Sequence, residues 1–293
     1  MPNLKEVRNR IVSVNSTMQI TSAMKMVSAA KLKRAQDAIT QMRPYANKLR
    51  EILQNLSASL DTSENIYSRD NQVKKVLLVT ITSNRGLAGS FNGSVIKKAW
   101  SVIRETYSDV DVSVLCVGKK GFDAFKKSEH VCKDSFFEEN YNSVFDNLSF
   151  DNVSKIAEKV MQAFAEGKFD RVYLVYNQFK NAAVQITQAE RFLPVENNPE
   201  TPETNNSVEY IFEPSKEHIV NELIPKSLKT QLYKAILDSN ASEHGARMTA
   251  MHKATDNAKE MLRDLKISYN KARQAAITTE ILEIVAGAEA LNG

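Results

Sequence analysis

Apolar residues recur at helical spacing at both ends of the chain, whereas short continuous apolar runs fill its middle. In residues 3–60, a seven-residue repeat beginning with Leu4 and Val7 holds an apolar residue at 14 of its 17 core positions. A stripe of this length predicts a coiled-coil helix. The apolar positions are Leu4, Val7, Ile11, Val14, Met18, Leu32, Ala35, Ile39, Met42, Ala46, Leu49, Leu53, Leu56 and Leu60.

Two features interrupt this first helix. The repeat places polar residues at Thr21, Lys25 and Ser28, where neighbouring methionines step out of register. Pro44 lies further along, and proline inside a helix removes a backbone donor, so a kink or a local break is expected there.

The C-terminal segment, residues 215–293, is made of strong helix formers up to Leu291 apart from Pro225, Gly245 and Gly287. Beyond Pro225 it predicts a rod of about 100 Å, which is longer than any compact domain of this size needs. It carries its own seam, meaning the stripe of apolar core positions of a seven-residue repeat, which is interrupted by His244 and Thr255. Two such seams at opposite ends of one chain predict an antiparallel, intramolecular coiled coil. The seam residues are Leu237, Ala241, Met248, Met251, Ala258, Leu262, Leu265, Tyr269, Ala272 and Ala276.

Residues 73–213 alternate between strand and helix patterns and predict a Rossmann-like α/β domain with a mainly parallel sheet. The chain is thus expected to consist of an N-terminal coiled-coil helix (1–60), a central α/β domain and a C-terminal coiled-coil helix. A polar segment at 194–207 reads as a loop. Strands are expected at 76–82, 110–117, 171–179, 184–192 and 208–212, and helices at 93–107, 122–127 and 151–166.

Charge and composition narrow the possible environments. The net charge of +4 is unevenly placed, with +7 on residues 1–60, −4 on 61–214 and +1 on 215–293. A basic N-terminal segment suggests an acidic partner, which could be protein, nucleic acid or anionic lipid. No apolar run is long enough to span a membrane, and no leader pattern is visible. Cys116 and Cys132 lack metal-ligand spacing and are expected to be buried, reduced thiols.

Candidate catalytic chemistry is sparse. The turn at residues 85–89, Arg-Gly-Leu-Ala-Gly, follows a strand and precedes a helix, as a phosphate-binding loop does. It lacks the P-loop Lys-Ser/Thr pair, and its glycines do not fit G-x-G-x-x-G, so a structural turn is the main interpretation and nucleotide binding the alternative. The four histidines show no metal spacing. We expect no catalytic residue, cofactor or metal in this chain.

The end of the C-terminal rod has the most unusual composition. Residues 275–291 contain three glutamates, no basic residue and otherwise mostly small or aliphatic side chains. A helix that is apolar nearly all round is normally buried on all sides. Residues 11–24, expected to pair with it, carry no charge. This end is therefore expected to lie inside a partner protein, the alternative being a core helix of the α/β domain.

Several long motifs resemble the gamma subunits of F-type ATP synthases, which form the central rotor shaft. They cover both ends of the chain fully and the middle more loosely. The central turn carries Asn84, Ala88 and Ser90 where the family usually has Asp, Cys and Gly. The matching stretches are residues 20–27, 31–35, 84–87, 242–251, 254–257, 269–274, 277–280, 283 and 287–288.

The resemblance implies a non-catalytic central-stalk subunit, present once per complex, that couples rotation of the membrane c-ring to conformational cycling of the alpha/beta hexamer. Active sites would lie on partner subunits. The expected partners are the alpha and beta subunits, the epsilon subunit and the c-ring, with membrane contact only through the c-ring and no nucleic acid. The expected location is the cytoplasmic face of a bacterial inner membrane, as a peripheral protein. A nucleic-acid or membrane-surface adaptor and a nucleotide-dependent enzyme remain the competing readings.

The resemblance also implies which residues bind partners. In the α/β foot, Tyr210 and Glu213 match contacts with the c-ring. Met24 is expected to pack near a polar group that grips one beta subunit, which would account for the interrupted repeat. The residues expected to bind the alpha/beta hexamer are Met24, Arg273, Gln274, Thr278 and Glu280.

Overall fold

The computed structural model describes residues 4–57, 66–69, 72–138, 141–195 and 216–292. Its contacts divide the chain into two compact units, one formed by Met1–Ala29 with Arg247–Gly293 and the other by Ala30–Ala246. None of the helices within the described ranges is long and apolar enough to cross a membrane.

Two long helices account for almost half of the chain: α1 spans Leu4–Ser57 and α5 spans Lys216–Asn292. Of the kink or local break expected at Pro44, the break does not occur, because α1 continues through this residue. Proline removes one backbone hydrogen bond, and the seam residues Ile39 and Leu49, both buried, hold the helix on either side of it.

The two helices run antiparallel, as the seams predict. In the unit of residues 30–246, the Lys226 ammonium lies 5.9 Å from the ring centroid of Tyr45. In the other unit, the Thr255 hydroxyl donates to the Thr21 hydroxyl at 2.9 Å. The described seam residues are buried or half-buried along both helices.

The central sheet has four strands: β1 (Lys75–Ile81), β2 (Asp111–Val117), β3 (Arg171–Phe179) and β4 (Gln185–Leu193). Their order is β2-β1-β3-β4, with β4 antiparallel to β3 and the other pairs parallel. The mainly parallel α/β fold predicted from the sequence is confirmed. The strand expected at 208–212 lies outside the described residues.

Helices cover both faces of this sheet. Helix α2 (Phe91–Ser101) packs on one face and continues into a π-helical turn at Val102–Thr106, where the sequence predicts uninterrupted α-helix. Helix α3 (Lys119–Phe125) follows β2. Helix α4 (Phe150–Ala165) packs on the other face and is capped by the Ser149 hydroxyl, which accepts from the backbone N–H of Asn152.

Helix α5 packs beside α4 on the same face of the sheet. Its apolar side chains there join the larger of the two cores, which fixes the helix against the sheet through burial of hydrocarbon. These side chains are Ile224, Leu228, Leu232, Ala235 and Ile236.

The packing of α5 buries the carboxylate of Asp238, which is 3% exposed. Burial raises the pKa of Asp238 to about 6, while Lys234 and Arg43 act to lower this pKa and Glu190 acts to raise it. The folded chain therefore holds this proton more tightly than the unfolded chain does.

We expect Asp238→Asn to stabilise the protein at neutral pH. The pKa of Asp238 is raised on folding, so its contribution to stability is complete below pH 4 and is lost as the pH rises through about 6. The loss corresponds to about 3 kcal/mol. Thermal unfolding of both proteins is measured between pH 4 and 8. The melting temperature of Asp238→Asn should exceed that of the native protein by an amount that grows as the pH rises through 6. A difference in melting temperature that does not change with pH would contradict the prediction.

Candidate functional site

The last turns of α5 form an exposed and largely aliphatic surface. Every residue from 277 to 290, here named the tip, is exposed. Soluble proteins rarely leave a contiguous aliphatic surface in water unless a partner covers it. The large aliphatic side chains of the tip and their exposed fractions are Ile277 47%, Ile281 55%, Leu282 63%, Ile284 71% and Val285 49%.

The register of the coiled coil explains why the tip is exposed. Thr21 lies opposite Thr255, and α1 begins 17 residues before Thr21, at Leu4. In an antiparallel pair, the residue opposite Leu4 is therefore close to Ala272. The expectation that residues 11–24 pair with the apolar end is wrong, because the tip extends past the described part of α1.

The tip and the residues just before it present two adjacent faces. Residues spaced by three or four positions lie on the same side of a helix. Gln274 and Thr278 thus share a side with Ile281 and Val285, while Arg273 and Glu280 share a side with Ile277 and Ile284. All eight are exposed, and the Thr278 hydroxyl donates to the Gln274 carbonyl at 2.9 Å. The predicted polar residues thus border the aliphatic surface.

Met24 lies elsewhere along the coiled coil. It is half-buried and stands close to the level of His252, because Thr21 is paired with Thr255. Arg273 lies 21 residues further along α5, or about 30 Å. The structure does not bring Met24 together with the polar residues near the tip, and the packing expected between them is wrong.

The interrupted repeat has a different cause from the expected one. Ser28 is buried, with its hydroxyl bonded to the Met24 carbonyl, and Thr21 is bonded to Thr255. Met26 and Val27 are exposed. The seam therefore keeps its register through this region and uses polar side chains whose hydroxyls are hydrogen-bonded.

The glycine turn after β1 is held by its own hydrogen bonds. The Ser83 hydroxyl donates to the Arg85 carbonyl at 2.6 Å, and the Asn84 carboxamide oxygen accepts from the Lys119 N–H at 3.1 Å. Leu87 has a φ of 62° and its side chain is 65% exposed. A positive φ is uncommon for a bulky residue, so the surrounding turn must hold Leu87 in this conformation.

Helix α5 covers the carboxyl ends of two central strands of the sheet, β1 and β3, which run parallel. At that point the Ser239 hydroxyl donates to the Ile81 carbonyl at 3.4 Å and the Ser242 hydroxyl to the Asn177 carbonyl at 3.0 Å. Both serines are almost fully buried. The α5 side chains thus cover part of the sheet edge at which parallel α/β domains usually bind ligands.

Other candidate chemistry gives no site. Across the described ranges, no group of His, Cys, Asp and Glu side chains could hold a metal ion. Cys116 is a buried free thiol and Cys132 a half-buried one. Burial raises the pKa of Cys116 to about 11, so this thiol is protonated and unreactive at neutral pH. The predicted c-ring contacts Tyr210 and Glu213 lie outside the described residues.

The comparisons identify the family. The family model described as ATP synthase matches residues 3–291. The chain is 61% identical to the ATP synthase gamma chain of Flavobacterium johnsoniae and 59% identical to that of Christiangramia forsetii, in both cases over the full length of both chains. The chain belongs to the gamma-chain family of ATP synthase. It is a non-catalytic subunit of that complex, and the catalytic sites lie on the beta subunits.

Solved structures agree with this assignment. A chain from the central stalk and c-ring of the Tetrahymena thermophila mitochondrial ATP synthase is 26% identical and has a TM-score of 0.57, with 80% of this chain and 99% of that chain covered. A chain from the rotor of the Euglena gracilis enzyme has a TM-score of 0.64 at 19% identity, with 94% and 98% covered, and supports the fold alone. A gamma chain of this kind is a central-stalk rotor subunit.

One exposed surface of this gamma chain was missed by sequence reasoning. Val12, Ile20 and Val27 are each about three-fifths exposed, although they lie on the coiled-coil helix α1. Spacings of eight and seven residues place them on one side of α1, away from the seam, with Ser16 and Ala23 between them. The missed signal is this second apolar repeat, offset from the first.

Proposed function

We propose that the tip and the outer side of α1 are bound by the alpha/beta hexamer, so that rotation of this gamma chain drives the conformational cycle of the beta subunits. The observation that carries the proposal is the exposed aliphatic tip, in a chain of the gamma-chain family. An apolar surface can turn inside an apolar cavity because no directional hydrogen bond or ion pair holds it at one angle. Differential contact with successive beta subunits would then shift their conformational equilibrium.

Polar residues in the tip and just before it would give this contact a preferred angle. Arg273, Gln274, Thr278 and Glu280 border the aliphatic surface, and we propose that they bind one beta subunit at a time. Met24, about 30 Å away along the coiled coil, would form a separate contact with the hexamer. Two contact regions at different heights would resist tilting of the shaft better than one.

The basic character of α1 suits an acidic partner surface, as the resemblance implies for a beta-subunit loop. The segment of residues 1–60 carries a net charge of +7, and its described basic side chains are mostly exposed. Long-range attraction of this kind acts without a fixed geometry and weakens as salt rises. The exposed basic residues include Lys5, Arg8, Arg10, Lys31, Lys33 and Arg34.

The remaining partners follow from the family. We propose that the α/β domain is the foot that contacts the c-ring, through residues that include Tyr210 and Glu213, with the epsilon subunit bound beside it. The chain would then be a peripheral protein at the cytoplasmic face of a bacterial inner membrane. It would touch the membrane only through the c-ring.

Reconstitution tests the proposal. The purified chain is mixed with the alpha and beta subunits of a close bacterial relative, and sedimentation and ATP hydrolysis are measured with and without it. We expect one copy per hexamer and a changed rate of hydrolysis. A chain that stays free, or binds in several copies, would contradict the rotor proposal. Salt-sensitive binding to nucleic acid or anionic vesicles in its place would support an adaptor.

A further inference from the structure

Helix α5 is hydrogen-bonded to three of the four strands of the sheet. Gln231 donates from its side-chain nitrogen to the Glu190 carboxylate at 2.8 Å and to the Arg191 carbonyl at 3.1 Å, both on β4. Ser239 donates to the Ile81 carbonyl of β1 at 3.4 Å and Ser242 to the Asn177 carbonyl of β3 at 3.0 Å. These contacts span twelve residues of α5, or about 16 Å.

The two serines differ from the other hydroxyl residues of the long helices. A hydroxyl in a helix usually donates to the carbonyl of its own helix one turn earlier. Ser239 and Ser242 instead donate to strand carbonyls. Each of the two serines is at most 1% exposed. The hydroxyl residues that do bond within their own helix include Ser16, Thr17, Ser28, Thr40, Thr230, Thr278 and Thr279.

The acceptors on the sheet are themselves held in place. The Tyr176 hydroxyl donates to Glu190 at 2.6 Å. The Asn177 side chain donates to the Phe91 carbonyl at 2.9 Å and accepts from the Thr187 hydroxyl at 2.6 Å. Because these groups are fixed by other elements, a rotation of α5 would break its bonds to the strands rather than carry the acceptors along.

Apolar contact alone would not fix the angle of α5. The rest of its interface with the sheet is hydrocarbon, including Leu228 and Leu232, and such contact is non-directional. Hydrogen bonds, by contrast, weaken steeply when their angle changes. Three side chains bonded to three strands therefore determine both the rotation of the helix about its axis and its position along that axis.

We propose that Gln231, Ser239 and Ser242 are the positioning residues that make the joint between α5 and the α/β domain torsionally stiff. Torque on the α/β domain then reaches the shaft helix through directional bonds and not through hydrocarbon contact. This inference rests on the proposed rotor function, since only a rotating chain needs a stiff joint at this place.

Single-molecule rotation tests the inference in the assembled complex. The hexamer is fixed to a surface, and a bead is attached to the α/β domain through a cysteine introduced at exposed Lys127, with Cys132 replaced by serine. The angular variance of the bead is measured during a nucleotide-locked pause. For Ser239→Ala with Ser242→Ala we expect the variance to rise about twofold, because two of four parallel bonds are removed.

Two controls separate stiffness from stability. Thr230→Val removes a buried α5 hydroxyl that bonds within its own helix, so its variance should equal that of the native chain. Leu232→Ala should lower the melting temperature by opening a cavity while leaving the variance unchanged. A serine double variant with native variance, or a rise in variance matched by Leu232→Ala, would overturn the inference. A native chain that forms no rotating complex would instead refute the proposed function.

Discussion

Replacing Ile281 and Ile284 together by aspartate is expected to abolish stable assembly of the chain with the alpha/beta hexamer. Both side chains belong to the tip and are 55% and 71% exposed in the isolated chain. Covering an isoleucine by a partner contributes about 1.5–3 kcal/mol. A carboxylate in the same apolar contact costs several kcal/mol unless it is paired. The two changes together should weaken binding by about a thousandfold or more.

The measurement is sedimentation of the variant with the alpha and beta subunits, together with its thermal unfolding alone. Because the tip is exposed, the α/β domain of the variant should unfold cooperatively, with the same melting temperature as in the native chain. Removing residues 277–293 should have the same two results. Loss of cooperative unfolding in either variant would show that the tip is needed for the fold.

A matched control separates the effect of where the two charges are placed from the effect of adding them. Val184→Asp with Ile186→Asp introduces the same two charges at aliphatic residues of similar exposure, 47% and 44%, beside and within β4. This variant should bind the hexamer with nearly native affinity. Equal losses for the tip and β4 variants would indicate that net charge, and not an apolar contact at the tip, controls assembly.

The extent of the long helices could be predicted because two independent signals agree there. Helix formers run without interruption, and an apolar repeat persists over many turns, so the predicted bounds lie within a few residues of α1 and α5. Pro44 was misjudged because local propensity predicts a break, whereas burial of the seam on both sides of the proline keeps the helix continuous.

The relative position of the two helices could not be predicted in the same way. A seam that repeats every seven residues buries nearly the same hydrocarbon when one helix slides by a heptad, or about 10 Å. Pairing of polar residues distinguishes these registers, and Thr21 with Thr255 is one such pair. Without that contact the tip was matched to residues 11–24, and Met24 was placed beside Arg273.

Local backbone irregularities also left no signal in the sequence. The π-helical turn at Val102–Thr106 adds one residue to a turn without any glycine or proline to mark it. In the turn after β1, Gly89 adopts a positive φ as expected of a glycine, but Leu87 adopts one as well. In neither place does a short stretch of sequence specify the backbone.

The turn at Gly118 is the part of the α/β domain where a single methyl group is expected to do most damage. Gly118 follows β2 with a φ of 109°, and a Cβ there would lie 2.0 Å from the Thr82 carbonyl oxygen. Neither atom can move freely, because the Thr82 N–H donates to the Val117 carbonyl at 2.8 Å and the Thr82 hydroxyl accepts from the Gly121 N–H at 2.8 Å.

We therefore expect Gly118→Ala to destabilise the α/β domain by about 3–5 kcal/mol, combining the strain of a positive φ with a displaced backbone. Its melting temperature should fall by about 10 °C. Gly93→Ala is the matched control, since a Cβ at this α2 position meets nothing within 4 Å and alanine favours the helix by about 0.5–1 kcal/mol. If the two variants unfold at the same temperature, the turn between β2 and α3 relaxes around a side chain, and close approach is not what requires glycine there.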